Sequence, residues 1–539
     1  MAGRIALVCL SLAVLPLAAG QQILHHEIHV RVHPRESMLE GDCTITVSRP
    51  AAAHESITFD LLDGTVLSVE ADGEPVRGYQ YDGDAGMAKA FDTKRLVVPL
   101  PDRAGAGPLE LRVRYRDESF TGSATNPEDN QPFSLGQIDA KRGSFSSHIP
   151  YYPYVRYQGR GGDIFLTVPD DELAVSSGQL VETVPAEPGW TTYHWHSERG
   201  SGLLPYPFAC HRYRTLEQLG ADDRTRITIY YLPEDERFAN QKMAIVQDVF
   251  AFYLEVFGDY PFPKLALVET DLQAGNIGLA AQSVVMLSKA VWFATTLDPK
   301  NTSLSNQGMI VLADEIAHQW NAYEVATPNY LAEGISRYTD SLYMAHRGGE
   351  EVLREHMRFT RRQYFGLLER GAGDIAISDP RVTPALYFIK GALALDMLRT
   401  ALGAETFLDG MRGYFTDCAD QVTDLRGFSG AFEQAAGEPL FWFFDQWYNR
   451  GQHPVLRLAW STCARGSEFV TAITITQCQP GPPYRLSLPA LLRGAAGGSH
   501  AQVVAVERRE QTFEARTSFE PESVVLDPEQ RMPVEVRAD

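Results

Sequence analysis

The sequence predicts a multidomain α+β chain: a β-rich, sandwich-like N-terminal part, an α-rich middle and a C-terminal β-sandwich. Three observations predict it. Apolar and polar residues alternate from Gln22 to about Arg214, the spacing turns helical to about residue 450, and short alternating runs return from Pro454 onward. A length of 539 residues with 44% apolar content is enough to fill several cores. The expected boundaries are 1–20 for a leader, then 21–214, 215–453 and 454–539.

Arg4 precedes an apolar run from Ile5 to Leu17, and Ala18, Ala19 and Gly20 supply the small residues of a secretory signal cut after Gly20. No later run reaches the roughly eighteen apolar residues of a membrane span. The mature chain is therefore expected to be soluble and exported, to the periplasm or the extracellular space. Losing Arg4 takes the formal charge from −21 to −22, which argues against nucleic acid or anionic membrane surfaces as partners. The six cysteines become five once Cys9 leaves, so at least one thiol stays unpaired within a monomer. Cys463 and Cys478 are not expected to bridge, because a turn near Arg465 to Glu468 carries Cys478 far along the returning strand.

In the β-rich part Ile28, Val30 and Val32 alternate with His29, Arg31 and His33, and similar runs cover Thr44 to Val47, Leu109 to Tyr115 and Ile164 to Val168. His25, His26, His29 and His33 form a local cluster in which His29 and His33 fall on the polar side of the strand; it reads as an exposed strand face, as do His194 and His196. Helical periods fall at 237–257, 306–324, 330–346, 349–370, 388–402, 404–416 and 424–436. Trp442, Phe443, Phe444 and Trp447 stand at helical spacing and read as core. The final strands are Val455 to Trp460, Phe469 to Thr476, Tyr484 to Leu488, Val503 to Glu507 and Val524 to Leu526.

One stretch carries chemistry: VLADEIAHQWNAYEVATPNYLAEG, residues 311–334. Asp314 and His318 sit at i and i+4, so their side chains share a helix face and can converge on one ion, with Glu315 beside them. This is DExxH where a zinc hydrolase carries HExxH. The bland alternative is that Asp314 and Glu315 are solvated helix charges and His318 a packed core histidine.

AHQW followed by LAEG resembles the M1 aminopeptidase family. FGDYPFPKLALVETD (257–271), WYNRGQHPVLRLAW (447–460), and YYPY with DIFLTVPDDELAVSSG (151–154 and 163–178) resemble further segments of that family in the same order. The resemblance implies a thermolysin-like middle domain and a zinc-dependent activity on peptides. It implies Asp314, His318 and Glu333 as metal ligands, Glu315 as general base, Tyr387 as oxyanion donor, and Ala274, Gly275 and Asn276 where the family's GxMEN strand binds substrate.

Four departures fall at the chemistry. The first ligand is Asp314 instead of His. Only fourteen residues, 319–332, separate His318 from Glu333, fewer than the family has. Ala274, Gly275, Asn276, Ile277 and Gly278 include no acid to hold a free amine. In ALYFIKGA the family's tyrosine position is Phe388, and Tyr387 is one residue away, equally an oxyanion donor or a core tyrosine. With Asp for His, a Zn²⁺ site loses its net positive charge, so a water there is harder to deprotonate and oxygen-favouring ions such as Mn²⁺, Mg²⁺ or Ca²⁺ compete better. The expected function is a divergent zinc metallopeptidase with a peptide substrate. Its alternative is a pseudopeptidase that keeps the cleft as a peptide- or protein-binding module.

Overall fold

The structure is a computed structural model that describes residues 23–538, apart from 49–55, 85–92, 102–106, 119–122, 126–131, 140–141, 156–160, 200–203, 273–277 and 294–306. The expected leader and Ala274, Gly275 and Asn276 lie outside the described residues. The chain forms two compact units, Met1–Ala326 and Thr327–Asp539.

In the first unit one sheet contains β1 (Ile23–His33), β2 (Met38–Val47), β3 (Thr65–Ala71), β4 (Glu74–Pro75), β5 (Leu109–Asp117), β6 (Gly162–Pro169), β7 (Gln179–Pro185) and β8 (Trp190–Ser197). Their spatial order is β7-β8-β6-β1-β2-β5-β3-β4. Strand alternation decides the two faces. Ile28, Val30, Val32, Ile45, Val113, Ile164 and Leu166 are buried, while His25, Glu27, His29 and His33 take the other face. On that outer face His29, Phe165 and His194 are direct neighbours across β1, β6 and β8. Phe165 stacks between the two imidazoles at centroid distances of 4.2 and 4.1 Å.

A second sheet follows: β9 (Arg214–Leu219), β10 (Arg226–Tyr231), β11 (Lys264–Glu269), β12 (Gly278–Ala281) and β13 (Val284–Leu287), in the order β9-β10-β11-β13-β12. Helical periodicity in 215–450 did not announce these strands. KLALVE and VVML are buried at every residue, which erases the two-residue period. Helix α1 (Glu236–Phe257) buries Val246, Phe250, Tyr253 and Phe257 along one stripe and stops at Gly258, whose φ of 96° is open to glycine. Helix α2 (Gln307–His318) runs on as a π-helical turn, Gln319–Glu324. Trp320 anchors that turn: its ring is fully buried 5.2 Å from those of Phe257 and Tyr260, and its indole N–H donates to the Asp259 carbonyl at 2.9 Å.

The second unit opens with α3 (Asn329–Gly348), α4 (Glu350–Glu369), α5 (Pro384–Leu402), α6 (Ala404–Asp417), α7 (Leu425–Ala436) and α8 (Phe441–Tyr448). These coincide with the helices read from periodicity to within about one turn. Helices α3 and α5 cross at Gly334 and Gly391, where a Cβ on either would stand 3.0–3.1 Å from the other's Cα. A side chain at either position would force the two backbones apart. Phe443, Phe444 and Trp447 are buried as expected, but Trp442 is 37% exposed, with the Arg485 guanidinium 5.1 Å over its ring. Two sheets end the chain. One holds β14 (Val455–Arg465), β15 (Glu468–Gln477), β18 (Glu510–Thr517) and β20 (Glu535–Ala538); the other holds β16 (Leu486–Gly494), β17 (Ser499–Val506) and β19 (Pro521–Leu526). Cys463 and Cys478 are free.

Candidate active site

The two DExxH residues meet as the helix period requires. Asp314 Oδ2 and His318 Nε2 are 3.6 Å apart, with side chains only 15% and 11% exposed. That is too long for a hydrogen bond. It is close to the roughly 3.4 Å that separates two donors bound at ~2.0–2.1 Å to one tetrahedral zinc ion. The other ring nitrogen of His318, Nδ1, stands 2.9 Å from Asn321 Oδ1; when a neutral imidazole donates from Nδ1 to that oxygen, Nε2 turns its lone pair toward Asp314. Two acceptors facing one another away from water repel unless a proton or cation lies between them. Asp314 Oδ1 is also buried and accepts no hydrogen bond from the described residues. By donor chemistry and spacing the pair fits a divalent ion. Among the described residues no three His, Cys, Asp or Glu side chains gather tightly enough to hold one by themselves.

Glu315 lies on the adjoining face. Its Oε2 accepts the Ala280 backbone N–H at 2.7 Å, from the edge strand β12. One turn on, Gln319 accepts the Ser283 N–H at 2.8 Å and donates to the Ala281 carbonyl at 3.0 Å. A further turn brings Tyr323, whose hydroxyl donates to the Ala280 carbonyl at 2.7 Å. In an α-helix each four-residue step drifts about 40° around the axis. The wider π turn takes that drift back and keeps Tyr323 in line with Glu315 and Gln319. From the other side the Gly178 N–H donates to Ser283 Oγ at 3.1 Å and Ser177 Oγ to the Gln282 carbonyl at 2.8 Å, so the β12–β13 turn is gripped twice. Sequence reasoning found Asp314, Glu315 and His318 but missed Asn321, Gln319 and Tyr323. The four-residue spacing of 315, 319 and 323 was the available signal.

Glu333 and Tyr387 belong to the second unit. Pro328 precedes α3, and Glu333 is its fifth residue. Tyr387 is 3% exposed in α5, one turn before Gly391, on the face that meets α3 beside Gly334. Next to it Lys390 is buried with Nζ 3.0 Å from Asp374 Oδ1. Burial lowers the Lys390 pKa against the opposing pull of Asp374. Burial would raise that of Asp374, but hydrogen bonds and charge from His453 and Lys390 hold it below the usual carboxylate range.

Comparison with known proteins agrees with this architecture. Residues 241–447 match the peptidase family M1 domain. The chain is 27% identical over 239 residues to aminopeptidase M1 of Arabidopsis thaliana, covering 41% of this chain and 26% of that protein. It is 26% identical over 433 residues to aminopeptidase M1-B of Oryza sativa subsp. japonica, covering 74% and 45%. The matched stretch thus spans less than half the length of these curated relatives. Among solved structures, that of Legionella pneumophila aminopeptidase A in complex with aspartic acid superposes with a TM-score of 0.73 at 13% identity, over 97% of this chain and 60% of that one, a likeness of fold. Family domain, relatives and fold together show this chain to be similar to the M1 aminopeptidases, the family match itself covering residues 241–447.

Proposed function

We propose that the chain is an exported zinc metallopeptidase that hydrolyses peptides and has diverged at its metal site and amine-binding segment. The observation that carries this reading is the convergence of Asp314 Oδ2 and His318 Nε2 at 3.6 Å beside a strand-anchored Glu315. Asp314 and His318 would hold the ion from α2, with Glu333 of α3 as the third donor. When bound, the ion supplies Lewis acidity toward the scissile carbonyl and a water. Glu315 takes the proton of the attacking water on its carboxylate and returns it to the leaving amine. The Ala280 N–H holds the carboxylate at the strand while it does so. Tyr387 donates its hydroxyl proton in a hydrogen bond to the oxyanion.

The relatives' names, aminopeptidase M1 and the alanine/arginine aminopeptidase of Saccharomyces cerevisiae, support a peptide substrate. No acid stands at Ala274, Gly275 or Asn276, so a free amine is not required of that substrate. The formally neutral donor set of Asp314, His318 and Glu333 favours a second reading, a peptide-binding module without turnover. Metal analysis of the purified protein and peptide hydrolysis with and without Glu315→Gln decide between them. The enzyme reading expects stoichiometric zinc and a loss of about 10²–10⁴-fold in kcat in the variant. Zinc-free protein, or turnover indifferent to Glu315, overturns it. Export is tested separately, by whether the secreted protein begins at Gln21.

A further inference from the structure

Gly278 opens the edge strand β12, two residues before the Ala280 whose N–H binds Glu315. A Cβ built on Gly278 falls well inside van der Waals contact distance of Glu315 Cγ and only 3.0 Å from both Cδ and Oε1. The space that any other residue would fill is taken by the Glu315 side chain from its Cγ outward. The obstruction is not at a floppy tip: to clear it, either Glu315 turns about χ1 or the strand moves off the helix. Gly278 has no unusual backbone demand of its own, since it lies in a regular antiparallel register opposite Leu287. Among the described residues the three atoms nearest a side chain at 278 all belong to Glu315, which accounts for the glycine.

Residues 278 and 280 point the same backbone edge toward α2, as alternate residues of a strand do. Gly278 offers a vacant seat and Ala280 a hydrogen bond, and Glu315 occupies both. Tyr323 on the carbonyl of Ala280 and Gln319 on Ala281 and Ser283 fix the strand at the matching height. We infer that Gly278 is a positioning residue, the seat that locks the Glu315 carboxylate onto the β12 edge. That it serves catalysis rests on the proposal that Glu315 is the base; that it seats Glu315 does not.

A double-mutant cycle tests the seat without any need for activity or metal. Gly278→Ala in the otherwise unchanged full chain should lower the unfolding midpoint by about 2–4 °C and speed amide exchange at Ala280 at least tenfold. In a Glu315→Ala background, which keeps Cβ but removes Cγ, Cδ and Oε1, the cost in midpoint should vanish. Should Gly278→Ala alone fail to fold, a folded Gly278→Ala/Glu315→Ala protein gives the same support. Equal cost in both backgrounds, or an unchanged Ala280 amide in Gly278→Ala, overturns the inference. The positioning role is read from kinetics at one fixed pH: kcat of Gly278→Ala falls at least about tenfold while KM stays within about twofold. A wild-type protein that cleaves no peptide, together with a positive cycle, sinks the peptidase reading and leaves the seat standing. A positive cycle with unchanged kcat in an active enzyme makes the seat structural only.

Discussion

Two aspartates of the first unit are approached by histidine, and the approaches differ in kind. Asp163, on the outer face of β6, accepts His194 Nε2 at 2.7 Å and His196 Nδ1 at 2.9 Å on one oxygen and lies 3.1 Å from His25 Nε2 on the other. Each imidazole donates, the carboxylate accepts, and the polar atoms are satisfied. Burial would raise the Asp163 pKa, but those hydrogen bonds and the neighbouring imidazoles hold it below its ordinary value. Asp314 and His318 stop at 3.6 Å with two acceptors face to face and one carboxylate oxygen unbonded among the described residues. The richer cluster of metal-ligating residue types is thus the closed one, and the poorer pair is the one shaped for something else. Residue type alone would have ranked them the other way.

The largest effect expected from reading histidines by environment concerns a third case, His26. It adjoins His25 in sequence but points into the core, where burial, aided by His25, lowers its pKa from 6.5 to about 4. A depressed histidine is neutral when folded and takes up a proton when unfolded. Its contribution is therefore fully present above pH 6.5 and lost as pH falls from 6.5 to about 4, a loss of about 3 kcal/mol by the shift. Urea melts at pH 7 and 4.5 should show it, and His26→Leu should flatten that window. An undiminished pH slope in the variant would mean other groups carry the acid sensitivity.

Zinc affinity comes next. Asp314→Ala should weaken it at least about a hundredfold, whereas Asp163→Ala should change it less than twofold, measured by chelator competition; the reverse ranking would break the contrast. Asn321→Leu removes the acceptor that fixes the His318 tautomer and should cost about 10–100-fold in affinity. Asp314→His should raise affinity at least tenfold, about 1.4 kcal/mol, by restoring a neutral donor and the site's positive charge. Tight zinc binding in the unmodified protein that Asp314→His does not improve would show the carboxylate to be an adequate ligand. The smallest effect belongs to Asp163→Asn, whose partners are largely at the surface and should leave stability within about 1 kcal/mol.

What the sequence made legible was whatever has a period. The seam of Val246, Phe250, Tyr253 and Phe257 announced α1, the i, i+4 pair announced the site helix, and alternation through Ile28, Val30 and Val32 sorted the faces of β1. In the second sheet β11, β12 and β13 were illegible because strands buried on both faces have no alternation to read. The π turn was also illegible, since QWNAYE contains neither proline nor glycine and its wider pitch is set by what Trp320 and Tyr323 must reach. Gln319 and Tyr323 acquire meaning only from an edge strand some forty residues upstream, and Asn321 only from the ring nitrogen of His318 that it meets. Gly278 looked like the end of a degraded motif and gained a reason only when Glu315 was found in its place.

The sealed edge of β12 has a consequence for how copies of this protein behave toward one another. An outermost strand normally presents a row of backbone donors and acceptors that another chain can extend, which is a route to aggregation. At Ala280 both groups are already taken, the N–H by Glu315 and the carbonyl by Tyr323 and by Ser147 Oγ at 3.1 Å. The contacts that hold a carboxylate ready for chemistry also remove that stretch of strand from the reach of a second molecule. Substitutions that free Ala280, Glu315→Ala combined with Tyr323→Phe above all, would then surface first as loss of solubility in concentrated, partly warmed samples, before any change in the melting of the rest of the unit.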